Sequence, residues 1–308
     1  MPIEVKPSKG IVVSIKANYY FVDIKNPQLN SLDIRSAITL LCTKRSKLIH
    51  KGLNINVGDN VLIEEIDLIE KKGVICDVQV RESFLTRPSV ANVTNVVVMI
   101  SLSEPDFNFD QASRFLITAE QTGLKNTLVL TKSDLISNHD LREYHSKLLL
   151  WGYDAIPISI KTGQGIDLLL NRLKLSELSV LCGPSGVGKS SLINCFLPSE
   201  NIATSTVSTK LRRGRHTTRN VQLFKLSENS FLADTPGFNR PEFNIEFKKL
   251  ALLFPEIRSQ LTHNSCKFRD CLHRDEPGCL VDKSFPRYLY YRECIEELIR
   301  LDSQSQGG

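Results

Sequence analysis

The sequence predicts a multidomain chain: an N-terminal β-barrel, a central α/β domain with a phosphate-binding loop, and a mostly helical C-terminal part. Three observations carry this expectation. Short β-like runs without helical periodicity fill residues 1–85, strongly apolar strands then alternate with helical segments to about residue 240, and helical patterning around clustered cysteines follows. At 308 residues the chain is long enough for two or three domains and too long for one simple core. The expected divisions are 1–85, 86–240 and 241–308.

The first part reads "GIVVSI", "YYFVDI", "AITLLC", "DNVLIEEI" and "GVICDVQV", separated by Gly, Asn, Pro and Lys turns. Five short strands of this kind suggest a small barrel of the oligonucleotide-binding (OB) type, with an SH3-like or purely structural β-domain as the alternative. "RESFLTRPS" reads as a polar linker. From about residue 93, "VTNVVVMIS", "NTLVLT", "AIPISI" and "LSVLC" alternate with helical "QASRFLITAEQTG", "HDLREYHSKLLLWG", "IDLLLNRLK" and "SSLINCFL". That alternation is the mark of a parallel sheet with helices on both faces. Helical "EFNIEFKKLALLF" and "RYLYYRECIEELIRL" flank the cysteine cluster, and their apolar faces read as packing surfaces.

Hydrophobic content of 41% and charged content of 24% are those of an ordinary globular protein. No apolar run approaches a membrane span, and the N-terminus has no signal-like apolar stretch, so a cytoplasmic, monomeric protein without a membrane partner is expected. The net charge of +5 permits an acidic partner such as RNA. The strongest local bias is "KLRRGRHTTR", residues 210–219, with five basic residues and no acid. Of eight cysteines, Cys42, Cys76, Cys182, Cys195 and Cys294 stand among apolar neighbours and read as small buried hydrophobes.

"GPSGVGKS", residues 183–190, fits the phosphate-loop pattern, with a strand before it and a helix after it. Glycines Gly183, Gly186 and Gly188 let backbone N–H groups close around phosphate oxygens, and the helix N-terminus adds partial positive charge. Pro184, Ser185 and Val187 complete the loop, Lys189 is placed to reach the β- and γ-phosphates, and Ser190, with Ser191 behind it, to ligate Mg²⁺. "DTPG", residues 234–237, ends another strand; Asp234 could hold magnesium through water, and the Gly237 N–H could sense the γ-phosphate.

"TKSD", comprising Thr131, Lys132, Ser133 and Asp134, resembles a guanine-reading element. The Asp134 carboxylate can accept from guanine N1–H and the exocyclic amine, neither of which adenine offers there. Losing two charge-assisted bonds costs roughly 3 kcal/mol, about a hundredfold, which selects GTP over ATP. Backbone between Ser159 and Lys161 in "SIKTG" can add a contact to the base. These motifs run in an unusual order, base-reading element first and phosphate loop later. Each nonetheless closes a predicted parallel strand, and ligands of open α/β sheets bind at that edge. A GTPase core cut after its third strand, with its old ends joined, has this order.

Three thiols and one imidazole, Cys266, Cys271, His273 and Cys279, have four, one and five residues between them and match a closed tetrahedral Zn²⁺ site. His263 lies near but fits the spacing less well. His50, His139 and His145 lack such company, and Trp151, the sole tryptophan, reads as a core residue.

Taken together, "GPSGVGKSS", "GRHTT", "DTPGF", the preceding β-barrel and the cysteine–histidine cluster make the chain resemble the circularly permuted ribosome-assembly GTPases of the RsgA type, over nearly its whole length. One departure is Thr131, where the family usually has Asn. The resemblance implies an enzyme that hydrolyses GTP to GDP with Mg²⁺, binds the small ribosomal subunit and its rRNA, and assists late maturation. A helper for catalysis in the first switch corresponds to His216, and Thr217 or Thr218 would complete the magnesium shell. Phe238 stands where a water-orienting Gln is common, so hydrolysis by the isolated protein should be slow. The competing expectations are an RNA-binding module using GTP as a sensor ligand with negligible turnover, and an ATP-dependent enzyme, which Asp134 argues against. If His216 assists the attack of water, His216→Ala lowers partner-stimulated GTP turnover while nucleotide affinity stays almost unchanged; equal stimulated rates in variant and parent remove His216 from the mechanism.

Overall fold

Five strand-forming runs at the N-terminus turn alternate side chains inward over much of their length, and the sheet they make closes on itself. The computed structural model describes residues 7–25, 37–50, 52–197, 221–235, 238, 241 and 245–306. Its first elements are β1 (Ser8–Lys16), β2 (Tyr19–Lys25), β3 (Ala37–Lys44), a short α1 (Ser46–His50), β4 (Asn60–Asp67) and β5 (Lys72–Val78). β1, β2 and β3 pair antiparallel, β3 and β5 pair parallel, β5 returns to β4, and β4 closes onto β1. Val12, Val22, Leu40, Val61, Ile63 and Ile75 fill this five-stranded barrel.

The stretch expected to be a polar linker is instead a hairpin, β6 (Phe84–Thr86) and β7 (Ser89–Ala91), whose Leu85 and Val90 enter the main core. Strands of three residues are too short to show a period, so the sequence hides them. Arg81 ties the hairpin back to the barrel through Asp59, which is fully buried and accepts from Arg81 at 2.7 and 2.9 Å and from the Asn56 N–H at 2.7 Å.

The central domain follows as β8 (Asn95–Ser101), α2 (Phe109–Glu120), β9 (Lys125–Thr131), α3 (Asn138–Leu150), β10 (Ile156–Pro157), α4 (Ile166–Lys174), β11 (Leu178–Cys182), α5 (Lys189–Phe196), β12 (Gln222–Ser227) and β13 (Ser230–Asp234). Its sheet order is β10-β9-β8-β11-β13-β12, parallel except for β12. Every residue of β8 is buried. Val96, Val98 and Ile100 pack with Phe115 of α2 and Leu148 of α3, whereas Val97 and Met99 pack with Leu169 of α4 and Ile193 of α5. Helices therefore cover both faces, which is why β8 reads as a continuous apolar run. Ser14 of β1 pairs with Gln222 of β12, joining barrel and central sheet into eleven strands.

The C-terminal part contains a 3₁₀ turn (Phe247–Leu253), α6 (Pro255–Gln260), the cysteine loop and α7 (Tyr288–Gln306). The helix expected over "EFNIEFKKLALLF" is this shorter 3₁₀ segment among the described residues. Phe254 is extended (φ −105°, ψ 108°), as a residue before proline prefers, and it separates the turn from α6. No helix among the described residues is long and apolar enough to cross a membrane.

This part docks on α2. Ile117 of α2 is buried among Leu250, Phe254, Tyr291 and Ile295. Arg287, only 2% exposed, donates twice to Glu256 at 2.6 Å and once to Ser113 of α2 at 3.1 Å, and its guanidinium lies 4.6 Å from the Trp151 ring centre. Arg258–Glu120 (2.9 Å) and Arg114–Glu297 (3.0 Å) flank the buried pair. Removing one member of a buried pair leaves an uncompensated charge, whereas replacing both by apolar groups is often neutral. Arg287→Ala should therefore lose about 3–5 kcal/mol in urea unfolding, and Arg287→Met combined with Glu256→Leu should recover most of it.

Candidate functional site

Parallel pairing of β8, β9, β10, β11 and β13 sends their carboxyl ends, Ser101, Thr131, Pro157, Cys182 and Asp234, to one rim. The phosphate loop leaves β11 and enters α5 at Lys189. Gly183 has φ +145°, and a Cβ there would meet the Met99 carbonyl oxygen at 2.2 Å, so only glycine lets the loop start this close to β8. The Lys189 ammonium donates to the Gly183 and Pro184 carbonyls at 2.7 and 2.8 Å, folding back over its own loop. Burial lowers its pKa, opposed by Cys182 and Asp234. Ser190 and Ser191 are exposed in the first turn of α5; Ser185 and Gly186 are exposed, and Pro184 and Val187 buried, in the loop itself.

The segment expected to read the base, residues 131–134, meets this loop directly. Thr131 donates its hydroxyl to the Val187 carbonyl at 2.9 Å, two residues from Lys189, and accepts the Leu102 N–H at its own carbonyl at 3.1 Å. A hydroxyl thus ties the two motifs together. Lys132 takes a left-handed conformation (φ 58°) and donates to the Glu104 carbonyl. The Ser133 N–H donates to the Ile158 carbonyl at 3.1 Å, which joins this element to the end of β10. Asp134 follows in a 3₁₀ turn (Ser133–Leu135) and is partly exposed. Ser159 is fully buried, its N–H on the Gln164 carbonyl at 2.9 Å and its hydroxyl accepting the Thr162 N–H at 3.1 Å. Lys161 is exposed at the tip, and Ile160 faces Gly188, where a Cβ would touch it at 3.8 Å.

At the end of β13, Asp234 is followed by Thr235, whose buried hydroxyl donates to the Leu181 carbonyl at 2.8 Å. Phe238 has its ring in the core, and its carbonyl accepts the Gly183 N–H at 3.2 Å. Sequence reasoning missed Glu104 and Pro105, which belong to no spacing pattern, and the bond made by Thr235, the unspecified position of D-x-P-G; only packing reveals them. His216, Thr217, Thr218 and Gly237 lie outside the described residues, as does the basic run at 210–219.

A phosphate loop, a guanine-type element and a D-x-P-G strand end, converging on one rim in rotated chain order, define a circularly permuted P-loop GTPase. The chain belongs to the RsgA GTPase family, whose model matches residues 78–244. A small ribosomal subunit biogenesis GTPase RsgA from Prochlorococcus marinus (strain NATL2A) is 53% identical over 303 residues, covering 97% of each chain. Among solved structures, YjeQ from Thermotoga maritima superposes with a TM-score of 0.76 at 32% identity, covering 95% of this chain and 99% of that one. YloQ, described as a circularly permuted GTPase, gives 0.75 at 27% identity, covering 97% and 98%.

The second cluster lies in the C-terminal part. His273 Nδ1 stands 3.5 Å from Cys266 Sγ and 3.6 Å from both Cys271 Sγ and Cys279 Sγ, and all four donor atoms lie within 4.8 Å of one another. Zinc–sulfur and zinc–nitrogen bonds of about 2.3 and 2.0–2.1 Å at a tetrahedral angle place sulfur and nitrogen about 3.5–3.6 Å apart. The donor set and its spacing therefore fit zinc. Burial pushes the Cys271 thiol up to about 12 and lowers His273, so a dication is what would ionise the thiols while His273 stays neutral. Glu276 accepts the Leu272 and Arg274 N–H groups at 3.0 and 2.8 Å, while Tyr291 donates to the Leu272 carbonyl at 2.7 Å and fastens the loop to α7. His263 is exposed and outside the cluster. Exposed His139, Asp140 and Glu143 form a loose surface group. Cys42, Cys182 and Cys294 are buried as expected, but Cys195 is exposed on the outer side of α5 and Cys76 is half-buried. Metal analysis should find one zinc per chain, retained in His263→Ala and lost in Cys271→Ser together with α7 packing; an unchanged zinc content in Cys271→Ser excludes this site.

Proposed function

We propose that this protein is a GTPase that binds the small ribosomal subunit and its rRNA, assists late maturation of that subunit, and hydrolyses GTP to GDP and phosphate to time its own release. The observation that carries the nucleotide part is the Thr131–Val187 bond, which supports reading residues 131–134 and 183–190 as two parts of one nucleotide site despite their order in the chain. The subunit as partner rests on what the close relatives are called.

In this reading the Asp134 carboxylate accepts from guanine N1–H and the exocyclic amine, and backbone near Ser159 to Lys161 approaches the base. N–H groups from Ser185 to Ser191 surround the phosphates, with Gly183 and Pro184 shaping the start of the loop. Lys189 leaves the Gly183 and Pro184 carbonyls for the β- and γ-phosphates, exchanging two neutral acceptors for charged ones. Magnesium, which neutralises charge on the triphosphate, would be held by Ser190, through water by Asp234, and by Thr217 or Thr218. Gly237 would report the γ-phosphate, and His216 would assist the attacking water. Structural zinc on Cys266, Cys271, His273 and Cys279 would hold the C-terminal loop.

Phe238, buried in the core, offers no polar side chain to a water, and this favours a second reading in which GTP is only a sensor ligand. GTP hydrolysis measured with and without purified small subunits separates the two. Slow turnover alone, a strong rise with subunits, and a loss of about a hundredfold or more in Lys189→Ala are expected. Turnover that stays negligible with subunits present supports the sensor.

A further inference from the structure

Among the described residues, one part of the nucleotide rim is also built into the C-terminal docking surface. The loop between β8 and α2, residues 102–108, is bound at its start to the base-reading element, since the Leu102 N–H donates to Thr131 and the Glu104 carbonyl accepts from the Lys132 ammonium. Its Pro105 faces the phosphate loop, where a Cβ on Gly186 would touch Pro105 Cδ at 3.7 Å. From there a continuous ladder of rings leads away. Phe107 and Phe109 meet edge to face at 4.8 Å, Phe109 meets Trp151 at 5.5 Å, and Trp151 lies under the Arg287 guanidinium at 4.6 Å. Arg287 ends the ladder on Glu256 in α6 and on Ser113 in α2.

Packed ring contacts and buried ion pairs have discrete arrangements, so a shift of the loop is passed on or blocked as a unit. Chain continuity after the D-x-P-G strand end offers another route to the zinc loop, but it passes through residues 239–244, most of which lie outside the described residues. The contacts on the ladder are all between described side chains.

We propose that the loop 102–108 and the Phe107–Phe109–Trp151–Arg287 ladder couple the nucleotide site to the C-terminal zinc-loop domain. Nucleotide binding moves Lys132 and Gly186, the loop follows them, and the seating of Arg287 against Glu256 changes. The inference rests on the nucleotide reading above and adds a route and a responding domain to it.

Because Trp151 is the sole tryptophan and sits in the ladder, the intact protein carries its own probe. Tryptophan emission is followed while GDP or a non-hydrolysable GTP analogue is titrated, with binding itself measured independently by calorimetry. The expected result is a saturable change in Trp151 emission whose midpoint matches the calorimetric one. Hydrogen exchange in the segments 254–260 and 288–298 should slow by at least about fivefold on nucleotide binding. In Phe109→Leu, which keeps apolar volume but removes the ring, calorimetric affinity should change little while the exchange response in those segments is lost. Heat of binding without an emission change, or an emission change without any exchange response in 254–260 and 288–298, overturns the coupling. The same response in Phe109→Leu as in the parent overturns the ladder as its route. Absence of calorimetric binding by either nucleotide would instead defeat the nucleotide reading.

Discussion

Everything at the nucleotide rim depends on the parallel pairing of β8 with β9 on one side and β11 on the other. Strands that run the same way end at the same edge, so chain order stops mattering to the site. The turn after β9 proposed to read the base and the phosphate loop after β11 are 50 or more residues apart in sequence, yet each leaves a strand bonded to β8. The Thr131–Val187 hydrogen bond is possible only because that pairing has already brought the two loop stems level. Its donor is a hydroxyl with a short reach.

Burial of the whole of β8 explains why the central domain tolerates rotation of its chain order. The strand is packed on both faces, with alternate residues serving two separate cores, and α2, α3, α4 and α5 are distributed between them. A helix followed by a three-residue link, residues 175–177, then suffices to carry the chain from α4 into β11. The same sheet continues through β12 into β1, so the barrel is attached by backbone hydrogen bonding as well as by Val13, Val57 and Val90 in the shared core.

The C-terminal part is held differently. Among its described residues it adds no strand, and its attachment to α2 combines an apolar plug, Ile117, with a buried Arg287–Glu256 pair stacked on Trp151 and Phe254. Such a pair is satisfied in one geometry and penalised in others, which makes it better suited to fixing an orientation than to adding stability. The cysteine loop is organised around its own donors and fastened to α7 through Tyr291 and Tyr288.

What the sequence by itself determined was whatever local pattern or donor chemistry records. Short β-like runs of the barrel between turn residues, the alternation of apolar strands with helices, glycine spacing in residues 183–190, and three cysteines with a histidine are legible without coordinates, because each depends on neighbours within one segment. Tertiary structure alone decided the rest: the β6–β7 hairpin hidden in a polar-looking stretch, the exposure of Cys195, the grip of Thr131 on Val187 and Thr235 on Leu181, and the docking of Arg287 beneath Trp151. These are single side chains meeting partners far along the chain. No periodicity or spacing encodes such meetings, since their geometry exists only after the sheet has aligned its strands and the helices have been packed on its faces.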